Sequence, residues 1–302
     1  MSSGATFTDA IRAGAARVAA RARSVKVDED AIEPYARTLP ANSPPPPDLP
    51  GADEEARVAF SLQLNAINFG SGWFPTLRKA AGMSGFRTVE AGLRAHGPWR
   101  ADELATIDRN TIAQVLDQDA DHVLMGHFER HLRELGRRVA DEHGGEFGRL
   151  AGAGHGSAEA LAAHLATWET WQDVSPYDGV AVPFFKRAQI AAADLALAGL
   201  APATDLHRLT LFADNLVPHV LRLDGVLTFA AELVERIDSE RLLTHDSPEE
   251  VEIRACALHA VELLVQAHGD TTATAVDNAL WHRGAQPRYK ARPRHRAPCT
   301  AY

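Results

Sequence analysis

Apolar positions along the chain recur mostly at three- and four-residue intervals, the spacing of one face of an α-helix, and runs that alternate polar with apolar residues are scarce. The pattern predicts an all-α protein. An Ala- and Arg-rich surface helix is expected over residues 11–23, and a short helix with an acidic first turn over residues 28–39. Ser43 and the run Pro44, Pro45, Pro46 and Pro47 then impose an extended connection. An N-terminal helical segment (residues 1–50) is thereby set off from one large helical domain (residues 51–302). In that domain a helix over residues 54–69 turns Val58, Leu62, Leu64 and Ile67 inward and stops at Gly70, Ser71, Gly72 and Trp73. Two glycines beside aromatic rings suit either a helix stop or a loop that lets a planar ligand approach the backbone.

Helices are expected over residues 102–134, Gly144 and Gly145 stop the next one, and another runs over residues 158–165 after a glycine-bearing turn. A further helix spans residues 183–197, with Pro183 at an allowed first-turn position and Gly199 beyond its end. Ser247, Pro248, Glu249 and Glu250 form a capping box for a long helix through Gln266. That helix is apolar on more than one face, so Glu252, Arg254, His259 and Glu262 are expected as paired polar groups inside the protein.

Composition narrows the chemistry. With 302 residues, 45% of them hydrophobic, the chain can bury a large core. A net charge of -9 disfavours attachment to a long polyanion, so a small-molecule ligand is expected and no stable nucleic-acid partner. Cys256 and Cys299 lack metal-ligand spacing, no apolar run is long enough for a membrane span, and a cytoplasmic protein without a disulfide framework is expected. His127 and His131 share a helix face, but no third ligand accompanies them, and neither a metal nor a cofactor is called for.

Only 4 of the 31 Lys+Arg residues are lysines, and one, Lys186, stands in the aromatic-rich stretch Phe184, Phe185, Lys186, Arg187. Lysine, unlike arginine, can shift its pKa and act as a point donor or nucleophile. The expected helix places Lys186 in its first turn, where a cation opposes the helix dipole. Asp214 follows in a second apolar block and precedes a helix that contains Pro218, so it suits an N-cap. Capping and catalysis are compatible, because a fixed, ionised carboxylate is what stabilises a developing cation.

Several stretches together resemble the queuosine salvage protein family. They are LNAINF (residues 64–69), ERH (129–131), FKRAQI (185–190), FAD (212–214) with Pro218, EVEIR (250–254), and the closing Pro293, His295, Arg296, Cys299 and Tyr302. The resemblance implies an all-α glycosylase related to helix-hairpin-helix DNA glycosylases that releases queuine from queuosine 5′-phosphate, with the basic tail docked on the domain. It implies Asp214 as the catalytic carboxylate and Lys186 as its neighbour. Phe69, Trp73, Phe185, Asn215, His219, Arg130, His295 and Arg296 are the candidate contacts to a nucleoside monophosphate. Two stretches depart from the family pattern. Gly70, Ser71, Gly72 and Trp73 stand where a cysteine and aromatics are usual, and Asn215 and Leu216 where Tyr-Arg is common. Both lie where a base or ribose would be held, which leaves the base released open. The rival readings are a non-catalytic nucleotide- or nucleic-acid-binding module and a DNA-repair glycosylase.

Overall fold

The computed structural model describes residues 6–41 and 43–302. In chain order the regular elements are α1 (Phe7–Ala19), β1 (Val25–Val27), α2 (Glu29–Ala36), α3 (Glu54–Ala66), α4 (Gly85–His96), α5 (Ala101–Thr106), α6 (Arg109–Leu116), α7 (Val123–His143), α8 (Phe147–Gly152) and α9 (Ala158–Leu165). There follow β2 (Val174–Tyr177), β3 (Val180–Pro183), α10 (Lys186–Leu197), α11 (Leu216–Leu223), β4 (Leu227–Phe229), α12 (Ala231–Asp238), α13 (Pro248–His268), α14 (Ala273–Gly284) and α15 (Pro287–Lys290). The protein is mostly helical. Among the described residues no helix is long and apolar enough to cross a membrane.

The chain divides into two compact units that interleave in sequence. The first comprises Met1–Pro45, Asp173–Lys186 and Asp205–Pro298; the second comprises Pro46–Gln172, Arg187–Thr204 and Cys299–Tyr302. The first crossing falls inside the proline run, and another falls between Lys186 and Arg187.

In the first unit α13 is the axial element. Every residue from Glu250 to Leu258 is buried, because α1, α2, α11, α14, β1, β2 and β4 all pack on it. Its start follows from the sequence: Ser247 caps it, with Oγ accepting from the Glu250 amide, and Pro248 opens the first turn. Glu250 accepts from the Asp246 amide instead of returning to Ser247, so the expected reciprocal box is only half formed. The charged residues of α13 are buried with partners. Glu252 accepts from the amides of Ser24 and Val25 (2.7 and 3.2 Å) and from the Tyr177 hydroxyl (2.8 Å), which ties β1 and β2 to the helix. Glu262 pairs with Arg12 of α1 at 2.8 Å.

The strands modify the all-helical expectation. β1 pairs antiparallel with β4, and β2 pairs with β3 in the register Val174↔Pro183 and Tyr177↔Val180. Asp178 (φ 47°) and Gly179 (φ 77°) form the turn of the second hairpin, the Asp-Gly dipeptide that two-residue hairpins favour. Pro183 therefore ends a strand and does not open a helix. α10 begins at Lys186, straight after Phe185, which sits in the left-handed region at φ 51°. The amides of Phe184 and Phe185 both donate to the Asp173 carbonyl, which bends the chain out of the strand and into the helix.

In the second unit the long α7 packs against α3, α5, α6 and α8. α3 is buried from Val58 to Ala66, and its Gln63 side chain both donates to and accepts from the Trp99 backbone (2.7 and 3.0 Å). Glu134 of α7 accepts from the amides of Glu169 and Thr170, which holds the Trp168–Trp171 segment on the bundle. Such bonds satisfy backbone groups that irregular segments would otherwise bury without partners.

Candidate active site

Asp214 and Lys186 both belong to the first unit, and one buried ion pair connects the backbone around each. Arg254 of α13 is fully buried and donates from Nε to the Ala213 carbonyl at 3.0 Å, the peptide that leads into Asp214. Its other arm donates to Asp173 at 2.8 Å, and the same carboxylate oxygen accepts the Lys186 amide at 3.0 Å. The guanidinium lies over the Phe184 ring, 4.0 Å from its centroid. Arginine suits this position because its planar fork can bond two acceptors while its face stacks on an aromatic ring. Phe184 and Arg254 are both buried, so the clamp is shielded from water.

Asp214 is half-buried at the entrance to α11. Its Oδ1 accepts from the amides of Leu216 (2.7 Å) and Val217 (3.2 Å). Asn215 is the N-cap residue of α11, so Asp214 stands one position earlier than expected, yet its carboxylate accepts the first two amides of the helix and is fixed there. Lys186 is buried at the first turn of α10, and half-buried Phe185 packs against Phe7 at 5.1 Å between ring centroids.

The C-terminal segment is pinned by many backbone bonds. Asn215 Nδ2 donates to the His295 carbonyl at 3.1 Å, Arg222 donates to the Pro293 carbonyl, and the Leu243 amide donates to the Arg296 carbonyl. His219 Nε2 lies 3.0 Å from the Tyr289 carbonyl, and Tyr289 in turn donates to Asp224. Asn215 and His219 thus bond the backbone of residues 289–295. Burial pushes His219 down to about 4 and His295 down to about 3, so both imidazoles are neutral at neutral pH. Arg296 pairs with Glu240 at 3.3 Å. Arg294, not singled out from the sequence, has its pKa lowered by burial, and the Asp214 charge opposes that shift.

The remaining candidates lie in the second unit. Phe69 is buried between Phe128 and His131, and Arg187 lies over both Phe69 and Trp171, 5.3 Å from each centroid. Arg187 also donates to the carbonyls of Ala66 and Thr170. Burial, and then the Arg187 charge, hold His131 well below the usual imidazole range. Trp73 packs on His127 at 5.1 Å, and Arg130 pairs with Glu169 at the surface. The Gly70 amide, in the segment that departs from the family pattern, donates to the Tyr302 carbonyl. Two groups of three potential metal ligands occur among the described residues, Glu142/His143/His164 and His245/Asp246/Glu250, and neither contains Asp214, Lys186, His127 or His131.

Three residues of this arrangement carry no strong sequence signal as site residues. Asp173 follows a pair of tryptophans and looks like a loop polar residue. Arg254 reads as an interior polar group and closes the EVEIR stretch, without any role assigned to it. Arg294 is one of several basic tail residues, and only the tail's docking distinguishes it from Arg292 and Arg296.

The queuosine salvage protein family model matches residues 49–302. A queuosine 5′-phosphate N-glycosylase/hydrolase from Sphaerobacter thermophilus is 33% identical over 308 residues, covering 95% of each chain. Proteins of the same name from Bos taurus (30% identical over 224 residues) and Dictyostelium discoideum (32% over 212) each match 67% of this chain and 65% of their own length. With almost the whole chain matched to the bacterial relative, and the family model spanning residues 49–302 beyond the proline run, this protein belongs to the queuosine salvage protein family.

Proposed function

We propose that the protein hydrolyses the N-glycosidic bond of queuosine 5′-phosphate and releases queuine, with Asp214 as the catalytic carboxylate and Lys186 as a substrate-binding cation. The observation that carries this reading is the fixing of Asp214 by two amides of α11 while Arg254 joins its backbone to that of Lys186. Cleavage of a ribosyl C1′–N bond passes through an oxocarbenium-like state. A preorganised anion beside C1′ stabilises that state more than the neutral ground state. The Leu216 and Val217 amides hold the carboxylate in place before the substrate arrives, so little reorganisation is left for the reaction. Water completes the hydrolysis, and Asp214 orients it or takes its proton.

The leaving base is a 7-deazapurine and lacks the N7 that would accept a proton as the bond breaks. Charge on the departing base must be met by contacts to its other polar edges. Lys186 and Arg294 are the cations for the 5′-phosphate. His219 and His295 stay neutral and act by shaping the tail. The mostly helical frame, with a carboxylate at the entrance to a helix, supports the likeness to helix-hairpin-helix DNA glycosylases as part of the same reading.

Incubation of the protein with queuosine 5′-monophosphate, followed by chromatography for free base, tests the reading. Release of queuine is expected, with guanosine 5′-monophosphate left intact. No release from the queuosine nucleotide overturns it, and release from guanosine monophosphate at an equal rate overturns the assignment of the base.

A further inference from the structure

In the second unit, the C-terminal ends of α7 and α9 bring together Glu142, His143 and His164. One potential ligand atom from each lies within 4.8 Å of the other two. We propose that these residues form a binding site for a divalent transition-metal ion of the zinc class. The Nε2 atoms of both histidines are buried and have no hydrogen-bond partner. Buried polar atoms are normally bonded, so two such atoms in neighbouring rings (centroids 5.6 Å apart) call for a shared partner. A metal ion accepts both lone pairs at once. Two neutral imidazoles and a carboxylate are a set that zinc prefers over magnesium or calcium.

The backbone favours a cation at the same place. His143 is the last residue of α7 and His164 lies in the last turn of α9, so two helix ends direct their negative poles toward it. Glu142 is partly exposed and supplies the compensating charge, leaving an open edge for water as a further ligand. One of its oxygens already receives Arg138, so the ion takes the other oxygen or displaces that guanidinium. Tetrahedral ligand atoms around zinc stand roughly 3.4 Å apart. Side-chain rotation, chiefly of Glu142, closes the rest of the gap. The site belongs to the second unit and shares no residue with the Asp214 and Lys186 arrangement.

Trp168 offers a reporter, since its ring lies 5.6 Å from that of His164 and 6.5 Å from that of His143. The full chain is stripped with a chelator, dialysed and titrated with Zn2+ against a chromophoric competitor, and separately with Co2+ while tryptophan emission is followed. One equivalent of Zn2+ is expected to bind. His143→Gln and His164→Gln each weaken it by at least ~10-fold, and Trp168→Phe removes the Co2+ quenching without removing the binding. No stoichiometric binding by the wild type overturns the proposal, as does undiminished binding by both histidine variants. Should either variant fail to fold, the surface change Glu142→Gln decides: weakened Zn2+ binding supports the site, and unchanged binding overturns it.

Discussion

Replacing Arg254 with methionine tests whether the Asp173–Arg254 clamp holds the candidate site together. Both side chains are essentially buried, at 0% and 2% exposure, and the bond between them is 2.8 Å. Methionine fills much of the arginine's volume but leaves the Asp173 carboxylate as an uncompensated buried charge, which costs about 3–5 kcal/mol. The Ala213 carbonyl also loses the Nε donor, so the entry to Asp214 loosens. Folded domains have about 5–15 kcal/mol of stability, so the variant remains mostly folded at 25 °C unless the wild type lies at the bottom of that range, which the unfolding curve of the wild type decides. In the double variant Asp173→Asn/Arg254→Met the charge is gone and asparagine can still accept the Lys186 amide. Much of the loss should return, giving a coupling of roughly 2–3 kcal/mol. Denaturant unfolding followed by circular dichroism measures each corner of the cycle. Base release by the folded single variant should fall about 10²-fold in kcat, the penalty for a small misplacement of a reacting group. Stability within about 1 kcal/mol of wild type together with unchanged kcat would refute the clamp.

Asp194 of α10 is half-buried, accepts from Asn65 Nδ2 at 2.9 Å, and is pushed by burial from 3.8 to about 6. The folded state holds this proton more tightly than the unfolded state, so its contribution to stability is complete below 3.8 and is lost as pH rises through 6. The rise corresponds to roughly 3 kcal/mol, reduced to about 1–3 by the water that reaches the carboxyl. Asp194→Asn should therefore unfold at higher denaturant than wild type at pH 8 and match it near pH 4; a gain that grows toward acid contradicts the assignment. Gly136→Ala would place a Cβ 2.5 Å from the Ala105 amide nitrogen and 2.7 Å from the Ala101 carbonyl oxygen, forcing α5 away from α7. A loss of about 1–3 kcal/mol is expected despite alanine's better helix propensity, and thermal unfolding with no loss would show that the helices yield freely. Lys186→Gln should raise KM about 10-fold or more while kcat changes less, as expected for a group that binds ground state and transition state alike. A collapse of kcat at unchanged KM would place Lys186 at the reacting bond instead.

Helix periodicity and caps were legible because they are local. The Ser247 start of α13 and the buried charges of α13 follow from spacing alone, and the placing of Asp214 at the entrance to α11 is right to within one residue. The Asp178-Gly179 turn was equally local, but the flanking β2 and β3 carry Pro176 and Pro183, which mask alternation and make Pro183 look like a helix opener. α10 therefore begins three residues later than its periodicity suggests. The rest depends on contacts distant in sequence. Nothing near Asp173 announces an arginine 81 positions away, and nothing in the tail separates Arg294, whose pKa the Asp214 charge raises, from Arg296, which pairs with Glu240. The bond from the Asn215 amide to the tail backbone likewise joins residues 80 positions apart and has no local signal.

The central claim is that Asp214 supplies the anion that stabilises cleavage, and Asp214→Asn is the most direct test, since asparagine's carbonyl can still accept the Leu216 and Val217 amides. Single-turnover release of queuine from queuosine 5′-monophosphate should fall by at least about 10³-fold while the folded variant still binds the nucleotide. Release at the wild-type rate by that variant would contradict the account.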